Sequence, residues 1–405
     1  MFTSTLGHLI RRAIRPAAAL RGARNFASRR RSSLRPQLEV LEDRAMPADL
    51  WYIGPPGGAW DAPPSWGLSP VGPPAFVLPG PADVAHIGAP GMPPVTVVHG
   101  AGFPADFCGT IVLEGPGATL INSGGSLGTP LLVAPAPGTT VGVSGGTFAA
   151  GMVEDIGPAA TNAVSGGAFV AGMVGEVAPF ITNTVTGGTF AISGTLLLAD
   201  PTNTTMVSGP ASTLSIGGAA TNMGSISILG GGSVTASSFT SSGAVVIGPG
   251  STFTTAGTYV QAGGSTTLAA GGTLAAPLVD IAGGILSGSG TISGDLLNES
   301  AVVNLDPSGA VLTVTGAYTQ TSAATLVLGV GPTAGTLDSL AVGGNVTLDG
   351  TLFLAPMGGY TPSPGDTLVV LTFGSNSGAT TFATLGGIAA SFTATYDPTD
   401  VTLMM

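Results

Sequence analysis

No lysine occurs anywhere in this chain of 405 residues, cysteine occurs once, and only 8% of the residues are charged. Average soluble domains are about 25% charged. The ten basic residues are all arginines, the last being Arg44, so residues 45–405 have no fixed cation while holding every acid except Glu39, Glu42 and Asp43. Lys and Arg supply most nucleic-acid affinity by neutralising phosphates, so this body excludes DNA and RNA as partners. A nucleotide site is excluded on the same ground, because no Lys follows the Gly230-Gly231-Gly232 loop as a phosphate cradle requires. Long apolar runs are also missing. Gly, Ser, Thr or Pro interrupts each one short of the roughly 18 residues of a spanning helix, although mean hydropathy is +0.50. No transmembrane helix is predicted. The lone Cys108 permits no internal disulfide and is expected to be a small buried apolar residue.

Glycine is what the chain has in excess, with 66 Gly and 32 Pro beside 44% apolar residues. That apolar content suffices to bury a core. Each Gly costs a helix about 1 kcal/mol relative to Ala, and charged helix formers are nearly absent, so helix is excluded almost everywhere after residue 50.

Residues 1–47 read as a basic leader or export segment, largely disordered, rich in Arg, Ala and Ser with no acid before Glu39. The Arg11-Arg12 and Arg29-Arg30 pairs hint at a twin-arginine signal, yet Pro16-Ala-Ala-Ala-Leu20 is short for the apolar part of a secretory signal. A basic tail without address is the alternative. The stretch Leu34-Arg-Pro-Gln-Leu-Glu-Val-Leu-Glu-Asp-Arg-Ala-Met-Pro47 resembles the R-P-x-L-E-x-L-E-D-R leader motif that opens many large surface proteins of planctomycete-type bacteria. The resemblance implies an exported protein, extracellular or on the cell surface, whose ordered part begins near Pro47.

An internal repeat follows. Val143-Ser-Gly-Gly-Thr-Phe148 recurs as Val164-Ser-Gly-Gly-Ala-Phe169 and Val185-Thr-Gly-Gly-Thr-Phe190, a period of 21 residues, and more loosely from Val207. Degenerate copies continue through Gly231-Gly-Ser-Val234, Gly250-Ser-Thr-Phe253 and Gly271-Gly-Thr-Leu274. Short β-branched runs such as Ile226-Ser-Ile-Leu229 and Ala244-Val-Val-Ile247, bounded by Gly-Gly turns, read as strands. About 21 residues suffice for one coil of a parallel β-helix. We therefore expect an all-β, right-handed parallel β-helix (β-solenoid), with about eleven coils over residues 101–330 making a rod on the order of 50 Å long. Phe148, Phe169 and Phe190 should stack inside it, and Asn162 and Asn183 should form a ladder at a turn. Asn203 joins that ladder only if its turn absorbs a two-residue insertion.

The ends differ, as open solenoid ends must. Residues 48–100 are expected to form a Trp/Pro-rich N-terminal cap, and residues 331–405 a C-terminal β cap. Trp51, Trp60, Trp66 and Pro81-Ala-Asp-Val-Ala-His-Ile87 resemble the opening of bacterial β-helical surface proteins. A hydrophobic cap is the preferred role of the three Trp, with a sugar-stacking platform as the alternative. Leu337-Asp-Ser-Leu-Ala-Val-Gly-Gly-Asn-Val-Thr-Leu348, Gly365-Asp-Thr-Leu-Val-Val-Leu371 and Phe392-Thr-Ala-Thr-Tyr396 look like the closing segment of autotransporter-type passenger domains. No series of membrane β-strands follows before Met405, so self-translocation is not expected.

Chemistry-bearing groups are few. Asp155 and Glu176 occupy equivalent positions of adjacent repeats with Glu154 alongside, which puts them within about 5 Å of each other. Such carboxylates can hold a hard cation such as Ca2+ or attack a glycoside; the plainer and preferred reading is solvated acids in a surface turn. Other cofactors are not expected. His86 and His99 lack a second pair for a zinc site, and Gly124-Gly-Ser-Leu-Gly128 fits the letters of a nucleophile elbow without a following His. The expected function is a structural or adhesin-like surface solenoid without catalytic activity, touching envelope polysaccharide or other surface proteins. A polysaccharide-binding or polysaccharide-degrading β-helix is the alternative. Trypsin should leave residues 45–405 as one uncut piece even in denaturant, which electrophoresis checks; smaller fragments of this part would contradict the charge reading.

Overall fold

The computed structural model describes residues 47–102, 105–305, 309–332 and 336–405. The basic leader and almost all of its motif lie outside the described residues. Residues Ala45–Met405 form one compact unit, parting from Met1–Arg44 where the arginines stop.

The unit is a parallel β-solenoid. Among the described residues one sheet has 15 strands and the other 22, and the coils repeat about every 21 residues over about 11 turns. Thr119, Thr140, Thr161, Thr182 and Thr204 stand in one register column, each opposite its counterpart in the next coil. A single coil explains why the sequence folds this way. Strand Thr140–Val143 alternates outward and inward and makes the first face. The Ser144-Gly145-Gly146 turn follows, then strand Thr147–Asp155. In that strand Phe148 and Ala150 point in, Gly151 and Met152 both point out, and Val153 and Asp155 point in. The alternation slips by one residue at Gly151, which is where the strand folds over a corner. In a later coil the same stretch is two separate strands, Gly188–Ile192 and Leu196–Leu198. Each coil therefore has three faces around one apolar interior.

Stacked backbones leave no room at two kinds of position. A Cβ on Gly151 would lie 2.5 Å from the carbonyl oxygen of Pro130, and one on Gly172 would press into that of Gly151. At the first turn Gly146, Gly167 and Gly188 have φ of +67, +71 and +81°. This is why Gly-Gly recurs in the repeat. The turn that closes the coil is built differently. Pro116-Gly117, Pro137-Gly138, Pro158-Ala159 and Pro179-Phe180 stack there, with φ at the second residue of +70, +68, +60 and +62°. The backbone N–H of Gly138 donates to Pro158 O at 2.9 Å and that of Ala159 to Pro179 O at 3.0 Å.

Inside, the expected aromatic column is present. Phe148 and Phe169 meet edge to face at 5.0 Å, and Phe169 and Phe190 stack at 4.7 Å. Coils continue into both end segments: Asp49–Tyr52 lies parallel on Val84–Ile87, and Thr351–Pro356 parallel on Thr384–Gly387. Among the described residues, antiparallel strand pairs occur only at the ends. Trp51 and Tyr52 pair with Gly67 and Trp66 at one, and Asp400–Met404 pairs with Thr367–Ser375 and Thr393–Tyr396 at the other. Antiparallel pairing covers the open edges that further coils would otherwise extend.

The turn glycines give a paired prediction. Gly167→Ala forces a side chain into φ of +71° against a carbonyl and should cost at least about 2 kcal/mol. Gly175→Ala meets open space at ordinary φ and should be neutral or stabilise by about 0.5 kcal/mol. Denaturant midpoints of the two variants check this, and equal effects would contradict it.

Candidate functional site

The paired acids are not surface groups. Asp155 and Glu176 are register partners, as their spacing implied, but they are only 1% and 0% exposed. The slip at Gly151 decides this. Continued alternation from Phe148 would bring Glu154 inward and leave Asp155 outside; the corner reverses the order, so Glu154 is the one that points away. The reading of solvated acids in a turn is corrected accordingly.

Each buried carboxylate is met by an amide from the facing strand. Asn162 Nδ2 donates to Asp155 Oδ2 at 2.7 Å, and Asn183 Nδ2 to Glu176 Oε1 at 2.6 Å. The same amides run along the stack, with Asn162 Nδ2 donating to Asn183 Oδ1 at 3.1 Å and Asn183 Nδ2 to Thr205 Oγ1 at 3.1 Å. The asparagine ladder thus exists, but inside strands Thr161–Val164 and Thr182–Val185 rather than in a turn. Thr205 is its third rung. Asn203 instead binds backbone, accepting from Ile181 N at 3.0 Å and donating to Glu176 O at 3.2 Å.

In later coils the column of Asp155 and Glu176 continues through Leu198, Asn222, Ser241, Gln261, Ile281, Asn298 and Gln320, so that amides recur in it. There the amide groups donate to backbone carbonyls of following coils, as Gln261 does to Gly283 O at 2.8 Å and Gln320 to Asp349 O at 2.8 Å. This column ties the end of the third face to the next turn. Burial pushes the Asp155 carboxyl up to about 6, against the Asn162 hydrogen bond. Burial first and the Asp155 charge second push Glu176 up to about 8, with Asn183 opposing. Enclosed in this way, neither carboxylate reaches a glycosidic bond in solvent, and Glu154 does not converge with them on a cation.

The remaining groups singled out by sequence fall as follows. Trp60 and Trp66 are fully buried and meet edge to face at 4.8 Å, with Trp66 Nε1 donating to Trp60 O at 2.8 Å. They fill the cap and cannot serve as a sugar platform. Trp51 stacks on His86 at 4.2 Å. Cys108 is buried, its thiol held against Thr110 O at 3.1 Å and pushed up to about 11 by burial. Ser126 of the Gly124–Gly128 stretch opens strand Ser126–Ala134, not a strand-to-helix turn.

Sequence reasoning missed one arrangement. Among the described residues, the only three metal-ligating side chains brought together are Asp61, His99 and Asp106, their ligand atoms all within 4.8 Å of one another. Asp61 follows Trp60 in the cap, His99 ends strand Thr96–His99, and Asp106 opens strand Asp106–Phe107. No period links these residues. The available signal was local: Thr96-Val-Val-His99 alternates so that His99 falls inward, in register with Asn122 of the next coil.

No protein-family model, curated protein or solved structure matches the chain.

Glu176 yields a pH prediction. Its carboxyl binds the proton more tightly folded, at about 8, than the ordinary value of 4.5. The folded state therefore holds the extra proton between those values, and its stability is full below about pH 4.5 and falls as pH rises through about 8. Glu176→Gln removes that loss. Thermal melts should place the variant at least about 3 °C above the wild type at pH 9 and level with it at pH 4; equal melting at both would contradict the buried carboxyl.

Proposed function

We propose that this chain is an exported solenoid of the cell surface or extracellular space, with a structural and adhesive role and no catalytic activity. The observation that carries the reading is Phe180. It is 61% exposed and has φ of +62°, in a turn where the two coils from Gly117 to Gly138 use glycine. An L-residue in this conformation costs about 1–2 kcal/mol. Neither the core nor the backbone asks for a phenyl group there. Strain of this kind is a reason to look for a contact. Ile156 and Val177, exposed on the same turns, extend the apolar edge beside it.

Composition supports the same role. An acidic outer surface without Lys or Arg after Arg44 avoids nucleic acids and anionic ligands. An aromatic on an acidic rod suits contact with neutral envelope polysaccharide, since sugar faces stack on aromatic rings. The leader motif supports export.

A pull-down of the full chain with insoluble and soluble polysaccharides, with the supernatant assayed for released sugar, tests the reading. Retention without release is expected. Phe180→Gly should weaken it at least tenfold while melting higher than wild type, because the backbone strain is relieved. Sugar release would favour the polysaccharide-degrading alternative, and retention unaffected by Phe180→Gly would remove Phe180 as the contact.

A further inference from the structure

We propose that Asp61, His99 and Asp106 form a binding site for a divalent transition-series cation that pins the N-terminal cap to the first coils.

The tautomer of His99 is fixed by its surroundings. The imidazole is fully buried, and Nδ1 lies 2.6 Å from Asn122 Oδ1 and 3.0 Å from Gly124 O. The Asn122 amide is oriented in turn, because its Nδ2 donates to Gly145 O at 3.1 Å. Nδ1 thus faces two acceptors and carries the proton. In the neutral ring Nε2 is left as a lone pair, held in place by hydrogen bonds on its far side, as in histidines that ligate metals.

What Nε2 faces is also an acceptor set. Asp106 Oδ2 is 3.3 Å away and Asp61 Oδ1 3.9 Å. These three atoms are buried without a hydrogen-bond partner. Three lone pairs thus converge with no donor placed between them, a set that a bound cation or a shared proton neutralises. The 3.3 Å between Nε2 and Asp106 Oδ2 fits two ligands of one ion better than a direct hydrogen bond, and Asp61 Oδ1, at 3.9 Å, has to draw in by about half an ångström. Charge-assisted N–H···O contacts are about 2.7–2.9 Å, whereas the edge of a tetrahedron with metal–ligand bonds of about 2.0–2.1 Å is roughly 3.4 Å. His86 shows the contrast: its Nδ1 meets Glu114 at 2.8 Å and its Nε2 faces Asp49 at 3.5 Å, so its two carboxylates stand at different ring nitrogens and share no centre.

One imidazole nitrogen and two carboxylate oxygens suit Zn2+ or Mn2+. Ca2+, which takes six to eight oxygens, is a poor match. The Asp106 side chain is 22% exposed, so the cluster lies close to the surface. Asp61 lies on the cap loop, where the neighbouring Trp60 N donates to Val98 O at 2.8 Å. Joining it to His99 and Asp106 closes the loop onto the stack.

The test uses Zn2+ on the full chain. Protein stripped with chelator, then dialysed against micromolar Zn2+, should retain one equivalent by elemental analysis and melt higher than the stripped form. Co2+ in place of Zn2+ should give the visible absorption of a low-symmetry, four- or five-coordinate ion. His99 is too buried for a safe deletion, so the variants are Asp61→Asn and Asp106→Asn, near-isosteric changes whose folding circular dichroism verifies. Each should weaken Zn2+ binding at least tenfold, while His86→Gln leaves it unchanged. Less than a fifth of an equivalent in the wild type, undiminished binding in both Asp variants, or loss of binding in His86→Gln would overturn the assignment.

Discussion

The spacing of stacked strands, about 4.8 Å, governs this molecule. Whatever side chain one coil presents, the next presents its counterpart almost directly above, so each position in the repeat becomes a column. Apolar columns gain from this, as the Phe148, Phe169 and Phe190 rings do. Backbone columns are restricted by it, because a corner glycine has only a carbonyl of the preceding coil beside it. Charged columns suffer most. Asp155 over Glu176 brings two acids into one interior register column, and the facing asparagines together with raised carboxyl pKa values accommodate them.

A column has two ends, and neither can satisfy itself. The N-terminal end is covered by buried Trp60 and Trp66 and an antiparallel strand pair. The cation proposed at Asp61, His99 and Asp106 would add a link there between a loop and the first faces. Chain-terminal strand Asp400–Met404, paired antiparallel on both sides, closes the other end. The contact surface proposed for this chain lies instead in the middle, at the Pro-containing turns, where Ile156, Val177 and Phe180 are exposed.

Sequence made the columns legible wherever the period held. The Val-Ser-Gly-Gly-Thr-Phe copies alone place the Phe stack, the Gly-Gly turns and the equivalence of Asp155 with Glu176. It could not reveal which side of the wall those acids face, because one extra outward residue at the Gly151 corner inverts every later position in the coil. The same inversion hides the glutamine and asparagine column of later coils, whose spacings are unequal. Asp61, His99 and Asp106 escaped for a different reason: they come from the cap and its junction, where no repeat exists to align them.

Distances between spin labels along one outward column test the stacked account directly. Label pairs at Thr140 with Thr161, Thr182, Ser225 and Ser265, which lie along one register column, can be introduced as cysteines because Cys108 is buried. The separation should grow by about 4.8 Å per coil, reaching roughly 30 Å for the last pair. Distances that fail to increase with the number of intervening coils would contradict the solenoid.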